Sequence, residues 1–306
     1  MANKVKQMIF PSPWETYLQM PWEDSMGEIY TDLPYGEGKA EKFDLYLPSV
    51  KQPKKSYGLV VYLHAGGFVG GDKSEDALIL KSFCRRGYVA AGINYTLTSK
   101  ENPKSNVYTQ SLDIKKAMPE VVKKAAEKGY PINGVIMSGG SAGACLAMIY
   151  AFRDADESPV PVKAVISMVG PATFEPKAWM GKMASIDYND STTAAGAAAW
   201  VASMTGDSIS PRMMASGEYQ RSLAKISAAS LVNERSVPLV AAYGMKDKLV
   251  PYETVHYLTD SLDKYHVTYD CFVLPHSGHA LHRDREIMTA FCKKMEEYLA
   301  KYLPIE

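Results

Sequence analysis

The sequence predicts an α/β fold in which a mostly parallel central sheet is flanked by helices. Three observations carry this prediction. Short apolar runs alternate with longer helical patterns from about residue 41 to the end of the chain. A glycine-rich turn at 139–143 stands between one such run and a helical pattern. The chain has 306 residues, of which 46% are hydrophobic and 22% charged, and can therefore bury the large core that this fold requires.

The predicted elements follow one another in a regular order. Residues 1–40 are rich in proline and aromatic residues without a clear period, and we interpret them as an extended N-terminal arm. Beyond this arm, apolar or alternating runs indicate strands, and glycine residues close two of the helical patterns. The predicted strands are 42–47, 59–63, 89–94, 132–138, 162–169, 237–243 and 267–274, and the predicted helices are 74–86, 106–128 and 287–303.

One long segment interrupts this alternation. Residues 173–234 contain no good strand pattern, and a bare loop of that length is uncommon in a compact domain. We expect a helical cap insertion over the carboxyl edge of the sheet, between core segments 41–172 and 235–306. The alternative is a set of core helices remote from any site. Methionines in this segment suit a pocket for varied acyl groups and are equally good core residues. They include Met180, Met183, Met204, Met213 and Met214.

Charge and composition argue against several classes of function. Lys and Arg total 34 and Asp and Glu total 34, and the zero net charge argues against a nucleic-acid or anionic-membrane partner. No apolar run is long enough to span a membrane, and the N-terminus lacks the apolar stretch of a secretory signal, so we expect a cytoplasmic protein. The four cysteines stand singly in apolar or helical stretches, which indicates reduced core thiols rather than disulfides or metal ligands. They are Cys84, Cys145, Cys271 and Cys292.

Residues 139–143, Gly-Gly-Ser-Ala-Gly, fit the Gly-x-Ser-x-Gly pattern in the context that gives the pattern meaning. A predicted strand precedes them and a helical pattern of small residues follows. A sharp turn between strand and helix would expose the hydroxyl of Ser141 at the carboxyl end of the sheet. Small residues two positions away on each side let strand and helix approach closely. Ser141 is therefore the predicted nucleophile, at a helix N-terminus that favours developing negative charge.

His279 and Asp247 are the predicted base and orienting carboxylate. His279 follows the last predicted strand, where a loop can return over the sheet, whereas the competing His276 stands beside the strand end. Asp247 follows the preceding strand and can hold the imidazole, although an ordinary turn aspartate is the alternative. The order Ser141, Asp247, His279 along the chain is the order expected for an α/β-hydrolase.

Residues 64–68, His-Ala-Gly-Gly-Phe, follow the second predicted strand at the same sheet edge as the nucleophile. A transition state that carries a negative oxygen needs fixed N–H donors, and glycines let backbone amides turn toward it. We predict that the N–H groups of Gly66, Gly67 and Ala142 form this oxyanion hole, with His64 holding the loop. A phosphate-binding loop is excluded because neither Gly-x-Gly-x-x-Gly nor a Gly-Lys-Ser/Thr ending is present.

These motifs together resemble the α/β-hydrolase esterases of the hormone-sensitive-lipase-like group and of the related bacterial feruloyl and acetyl-xylan esterase-like group. The resemblance covers about residues 28–303 and implies the α/β-hydrolase fold and serine-esterase chemistry. It leaves the substrate open. The segments that carry it are 43–48, 64–68, 71–73, 94–95, 139–143, Asp247 and 277–279.

Three positions depart from the pattern of these esterases. Ala65 occupies the first glycine position of the usual His-Gly-Gly-Gly, which leaves both donor glycines in place. Gly140 stands where the lipase-like branch usually has Asp, which favours the second group. Thr96 follows Tyr95 where arginine is usual, so any structural role of that arginine is lost or moved.

The leading functional hypothesis is a serine carboxylesterase that hydrolyses short-chain acyl esters through an acyl-enzyme intermediate, with acetylated carbohydrate or aryl esters as candidates. Its partner is a small-molecule ester, it needs no metal or organic cofactor, and homo-oligomer formation is left open. An amide hydrolase of the formamidase or acylaminopeptidase kind is the alternative, because the same three side chains serve both bonds. A ligand-binding protein without catalysis is a third hypothesis, against which an intact triad argues.

Overall fold

The computed structural model describes residues 13–18, 21–49, 55–180 and 186–305. Within these ranges the strands form a single eight-stranded sheet. The strands are β1 (Gly27–Pro34), β2 (Lys42–Pro48), β3 (Tyr57–Leu63), β4 (Val89–Ile93), β5 (Ile132–Gly140), β6 (Val162–Met168), β7 (Leu239–Gly244) and β8 (Tyr269–Leu274). Their order across the sheet is β1-β2-β4-β3-β5-β6-β7-β8.

The α-helices lie between and around the strands in the same described ranges. They are α1 (Pro13–Leu18), α2 (Ala77–Arg85), α3 (Val107–Glu127), α4 (Ala142–Arg153), α5 (Pro176–Trp179), α6 (Ser191–Thr205), α7 (Pro211–Ser216), α8 (Gln220–Leu223), α9 (Ala228–Leu231), α10 (Glu253–Lys264) and α11 (Arg285–Tyr302). A capping box starts α3, in which the side chain of Asn106 accepts from the N–H of Thr109 and the Thr109 hydroxyl oxygen accepts from the N–H of Asn106.

The sheet is mostly parallel, which brings the ends of several strands to one edge. The strands from β4 through β3, β5, β6 and β7 to β8 pair parallel, while β2 pairs antiparallel with both β1 and β4. The carboxyl ends of β3, β5, β7 and β8 therefore lie at the same edge. Ligands of such sheets bind outside the carboxyl ends of the strands.

The core consists of two apolar layers, one on each face of the sheet. Successive side chains of a strand point to opposite faces, so Leu59 and Val61 of β3 enter one layer and Val60 and Tyr62 the other. Helices α3, α4 and α10 contribute to the first layer, and α2 and α11 to the second. Since both faces are covered, every residue of β3 is buried, which explains its continuous apolar sequence.

The predicted α/β fold is confirmed, and each predicted strand and helix is present with small shifts at its ends. The interpretation of residues 1–40 as an extended arm is wrong for β1, which pairs with β2 as the outer strand of the sheet. The register shifts between Tyr30 and Leu33, and Asp32 at this irregularity has a φ of 54°. A bulge of this kind breaks the alternation by which a strand is recognised. Residues 1–12 lie outside the described residues.

The described residues of the segment 173–234 include the five helices α5 to α9, and the two ends of the segment pack in different places. Phe174 and residues of α5 and α6 line a cavity at the carboxyl edge of the sheet. Helix α9 instead returns to the core, where Ala228 and Ala229 are buried and the N–H of Ala229 donates to the carbonyl of Ala172. The first part therefore covers the cavity, and the last part is a core element.

Candidate active site

Ser141 lies at the sharp turn between β5 and α4. Its φ of 51° and ψ of −118° are strained for a residue with a side chain, and its N–H donates to the carbonyl of Met168 on the neighbouring β6 (2.8 Å). A Cβ at Gly139 would lie 2.5 Å from the carbonyl carbon of Gly143, and one at Gly143 would lie 1.9 Å from the carbonyl oxygen of Leu63. Both glycines are therefore required for the close approach of strand and helix.

Ser141, His279 and Asp247 meet at the carboxyl edge of the sheet. Nε2 of His279 lies 2.9 Å from Oγ of Ser141, and Nδ1 lies 2.6 Å from Oδ2 of Asp247. The other oxygen of Asp247 accepts from the N–H groups of Leu249 (2.8 Å) and Val250 (3.0 Å), and the Asp247 side chain is only 3% exposed. A carboxylate fixed in this way keeps the proton on Nδ1, which leaves Nε2 free to accept the hydroxyl proton.

His276, the alternative base, lies outside this arrangement. Its side chain is 70% exposed, and its Nδ1 lies 2.7 Å from Oδ1 of Asp284. The N–H of His276 (3.0 Å) and the hydroxyl of Ser277 (2.7 Å) donate to the other oxygen of Asp284, directly before α11. Asp284 thus closes the loop that carries His279. This role was not predicted from the sequence, where its only signal is a carboxylate five residues after His279 at a helix start.

The predicted oxyanion-hole residues Gly66, Gly67 and Ala142 line the same cavity as Ser141. Gly66 has a φ of 133° and Gly67 a φ of 61°, and a Cβ at Gly66 would lie 1.9 Å from the carbonyl oxygen of Gly70. Among the described residues, the N–H groups of these three residues have no protein acceptor. They are therefore available to a bound oxygen, as an oxyanion hole requires.

Contacts from β4 and the residues after it hold the loop that contains these glycines. The amide of Asn94 holds the far end of this loop, because its Oδ1 accepts from the N–H of Lys73 (2.8 Å) and its Nδ2 donates to the carboxylate of Asp72 (2.6 Å). The ring of His64 stacks on Tyr95 at 4.2 Å, and the Tyr95 hydroxyl donates to the His64 carbonyl (2.8 Å). Burial lowers the pKa of His64, so its ring is a neutral support of the loop, as the sequence analysis expected.

A cavity of about 520 Å³ opens beside Ser141, and its walls are largely apolar. Among the described residues that line it, His279 has the only side chain that can carry a charge. The lining residues are Ala65, Gly66, Gly67, Phe68, Ser141, Ala142, Pro171, Phe174, Trp179, Trp200, Met204, Leu249, Val250 and His279. A cavity of this size holds a small organic group close to the hydroxyl.

Three rings form one wall of this cavity, which we call the aromatic wall: Phe174, Trp179 and Trp200. Phe174 stacks on Trp179 at 5.7 Å with an interplanar angle of 8°, and the two indoles lie 5.1 Å apart. The Trp179 indole N–H donates to the carbonyl of Thr173 (2.7 Å), and that of Trp200 donates to the carbonyl of Phe174 (3.0 Å). Since both indole donors bind backbone, the wall presents ring faces and edges rather than hydrogen-bond donors.

The methionines of the insertion have different environments. Met204 lines the cavity, as the acyl-pocket interpretation expects, whereas Met214 is buried in the core. Met180 is 36% exposed and Met213 is half-buried. Met183 lies outside the described residues. Among these methionines, Met204 is thus the one described residue that lines the cavity, and the aromatic wall was not predicted from the sequence.

Other sequence expectations concern cysteines, metals and membranes. The four cysteines are free thiols, and burial raises the pKa of Cys84 to about 12 and that of Cys271 to about 11. Across the described residues, no group of three or more His, Cys, Asp or Glu side chains could hold a metal ion. In the same residues, no helix combines the length and apolar character needed to cross a bilayer.

Comparison with curated proteins finds both amidase and esterase relatives. Kynurenine formamidase of Danio rerio is 28% identical over 130 residues, which cover 42% of this chain and 41% of that protein. Esterase LipQ of Mycobacterium tuberculosis is 24% identical over 133 residues, which cover 43% of this chain and 31% of that protein. The chain thus spans less than half the length of these relatives, and their activities are not transferred by the match alone.

Solved structures and a family model cover much more of the chain. Esterase B of Lactobacillus rhamnosis has a TM-score of 0.67 at 19% identity over 94% of this chain and 90% of that one, which shows a shared fold. The BD-FAE family model matches residues 43–262, a range that contains Ser141 and Asp247 and ends before His279. This match extends over more than half of the sequence. The chain therefore belongs to the BD-FAE family, an esterase family of the α/β-hydrolase fold.

Proposed function

We propose that this protein is a serine carboxylesterase whose catalytic triad is Ser141, His279 and Asp247. The observation that carries the proposal is the pair of contacts made by His279, which lies 2.9 Å from the Ser141 hydroxyl and 2.6 Å from the Asp247 carboxylate. A serine hydroxyl becomes a strong nucleophile when a base accepts its proton and a third group orients that base. Family membership supports esterase chemistry independently of this geometry.

In the first half of the proposed reaction, Oγ of Ser141 attacks the ester carbonyl carbon while Nε2 of His279 takes the hydroxyl proton. The carbonyl oxygen becomes negatively charged and accepts from the N–H groups of Gly66, Gly67 and Ala142. Collapse of this intermediate breaks the bond to the alcohol, which leaves with the proton from His279. Water then attacks the acyl-serine by the same proton relay and releases the acid. No step needs a metal or an organic cofactor.

The cavity supports uncharged substrates with an apolar or aromatic group. A charged substrate group would lose hydration in this space without an opposite charge to bind, which is unfavourable. The aromatic wall offers ring faces on which an aryl group or the apolar face of a sugar ring can stack. We therefore assign short-chain acyl esters to the site, with aryl esters and acetylated carbohydrates as candidates. The truncated carbohydrate esterase from gut microbiota shares the fold (TM-score 0.68, 17% identity, 92% of this chain and 98% of that one).

Amide hydrolysis is the second candidate, and the similarity to a kynurenine formamidase favours it. The same triad would serve, because His279 can protonate an amine as it protonates an alcohol. An amide of a charged amino acid would need a counter-charge, which the described cavity residues other than His279 do not supply. Rates on an ester and an anilide with the same acyl group separate the two functions, and a higher kcat/KM for the anilide would favour the amidase.

The decisive experiment compares wild type, Ser141→Ala and the surface variant Ser216→Ala on p-nitrophenyl acetate and butyrate. We expect Ser141→Ala to lose at least about 10³-fold in kcat, since the nucleophile is removed, and Ser216→Ala to match wild type. A fluorophosphonate probe should label Ser141 in wild type, with the adduct located by peptide mass spectrometry. Equal ester hydrolysis by Ser141→Ala and wild type would refute the proposed function.

A further inference from the structure

We propose that Glu175, Tyr188 and Tyr219 act as positioning residues that set substrate selectivity by holding the aromatic wall of the cavity. We call these three residues the Glu175 clamp. None of them lines the cavity, so their effect on a substrate would pass through the wall. The inference rests on the proposed function, because it assumes that a substrate group occupies the cavity beside Ser141.

The clamp is a carboxylate held by two phenol hydroxyls. The Tyr219 hydroxyl lies 2.9 Å and 3.0 Å from the two oxygens of Glu175, and the Tyr188 hydroxyl lies 2.8 Å from the first of them. Tyr219 is only 3% exposed, and its ring meets that of Tyr188 edge to face at 5.5 Å. Hydrogen bonds to an ionised acceptor are stronger than those between neutral groups. The Glu175 carboxylate therefore connects its own position in the insertion to Tyr188, 13 residues later, and to Tyr219, 44 residues later.

Burial supports the donor role of both phenols. It raises the pKa of Tyr188 and that of Tyr219, so both hydroxyls keep their protons. The ammonium of Lys177 also lies 4.8 Å from the centre of the Tyr188 ring, on the side of α5. Both tyrosines are thus available to donate, and Glu175 has the acceptor oxygens that they need.

The backbone beside Glu175 is the part that holds the aromatic wall. Phe174 precedes it directly and contributes one ring of the wall. The carbonyl of Thr173 accepts the indole N–H of Trp179, and the carbonyl of Phe174 accepts that of Trp200. A shift of residues 173–175 would therefore move all three rings together. Because the clamp fixes Glu175 to Tyr188 and Tyr219, it fixes the carbonyls that orient both indoles.

This arrangement separates selectivity from chemistry. The triad is built on loops after β5, β7 and β8, whereas the clamp lies wholly in the insertion. Loosening the clamp should change how well a large group packs against the wall while leaving the proton relay in place. A small acetyl group makes few contacts with the wall and should be affected least.

The test measures kcat and KM for Glu175→Gln, Tyr188→Phe and the double variant Tyr188→Phe/Tyr219→Phe. One substrate series varies the acyl group, from p-nitrophenyl acetate to butyrate, octanoate and benzoate. A second series varies the alcohol of acetate esters, from methyl to benzyl. The matched control is Tyr269→Phe, which removes a tyrosine–carboxylate hydrogen bond to Asp263 (3.0 Å) at the start of β8, and neither residue lines the cavity. Thermal unfolding of each variant is recorded.

We expect the clamp variants to keep kcat for p-nitrophenyl acetate within about twofold. In the acyl series the measured ratio is kcat/KM for octanoate or benzoate over that for acetate, and in the alcohol series it is kcat/KM for benzyl acetate over that for methyl acetate. At least one of these ratios should change fivefold or more, mainly through KM. Tyr269→Phe should leave every ratio unchanged. Tyr188→Phe removes one hydroxyl from a partly exposed side chain and is the variant to use if the double variant does not fold.

The outcomes are distinguishable. If wild type does hydrolyse these esters through Ser141 but the clamp variants retain its selectivity ratios in both series, the inference is overturned and the proposed function stands. A uniform loss of activity on all substrates with a lower Tm also overturns it, because that result indicates a structural role only. If wild type hydrolyses no ester in a Ser141-dependent manner, the proposed function itself fails.

Discussion

At the scale of the residue, single glycines and one serine set the geometry of the site. Ser141 has a positive φ, which a side chain tolerates only when its surroundings enforce it. Those surroundings are Gly139 and Gly143, where a Cβ would meet backbone atoms at 2.5 Å and 1.9 Å. The Gly-x-Ser-x-Gly pattern can be identified from sequence because backbone sterics leave few choices at these positions. The neighbours that a residue meets from distant parts of the chain cannot be identified in that way.

Asp76 directly precedes α2, and its environment makes a prediction about stability and pH. Burial, together with the nearby carboxylates of Glu75 and Asp72, raises the pKa of Asp76 from its ordinary value of 3.8 to about 7. Its Oδ2 is buried and, among the described residues, has no hydrogen-bond partner. The folded state therefore disfavours the ionised form, and this carboxyl group costs stability progressively as pH rises from about 4 to about 7.

We expect Asp76→Asn to be more stable than wild type at pH 8 by about 2–4 kcal/mol, with the difference shrinking toward zero near pH 4. The measurement is the free energy of unfolding in urea at several pH values between 4 and 8. Asp260→Asn, at an exposed carboxyl group, serves as the control. A stability difference that does not vary with pH would contradict the assigned environment of Asp76.

At the scale of the element, loops at the carboxyl ends of strands carry the reactive groups, and side chains outside the triad give those loops their shape. Asp284, directly before α11, accepts from the N–H of His276, from its ring and from the hydroxyl of Ser277. Ser277 has no exposed surface, and its oxygen also accepts from the N–H groups of Arg283 and Asp284. These contacts fix the loop in which His279 stands.

Asp284→Ala should therefore lower kcat for p-nitrophenyl butyrate by about 10- to 100-fold, because a small displacement of a catalytic group has a large effect on rate. The rate of fluorophosphonate labelling at Ser141 should fall in parallel, while KM stays within about twofold of wild type. His276→Phe removes only the exposed ring contact and should retain nearly full activity. Unchanged kcat in a folded Asp284→Ala protein would show that the loop holds His279 without this carboxylate.

At the scale of the whole molecule, a buried ion pair joins the outer strands to the loop after β3. The Lys73 ammonium lies 2.7 Å from Asp32 on β1 and 3.2 Å from Asp44 on β2. The Lys73 and Asp44 side chains are 4% and 3% exposed, whereas that of Asp32 is 70% exposed. Lys73 follows the loop of Gly66 and Gly67, so this pair connects the edge of the sheet to the proposed oxyanion hole.

Lys73→Met would leave the Asp44 carboxylate buried without its counter-ion, and we expect a loss of about 3–5 kcal/mol in the free energy of unfolding. Adding Asp44→Leu should recover much of that loss, since the unpaired charge is then removed. Lys294→Met breaks a surface pair with Glu297 and should cost less than about 1 kcal/mol. Urea denaturation of the variants checks all three values. Equal losses for Lys73→Met and Lys294→Met would be inconsistent with a buried pair.

Much of the architecture followed from local patterns. Buried parallel strands such as β3 give continuous apolar runs, and glycine or a capping residue bounds the long helices, so the α/β fold and its sheet could be predicted. Strand β1 could not, because its bulge between Tyr30 and Leu33 breaks the alternation on which the recognition of a strand depends.

The sequence by itself determined the order of the elements and the candidates Ser141, Asp247 and His279, because each candidate follows a strand and parallel strands end at a common edge. Only the tertiary structure decided which histidine reaches Ser141, which rings form the cavity wall and which side chains support them. His279 and His276 stand three residues apart, and the contacts of Asp247 and Asp284 select between them. Such contacts join residues that share no periodic pattern, so their geometry exists only once the chain is packed.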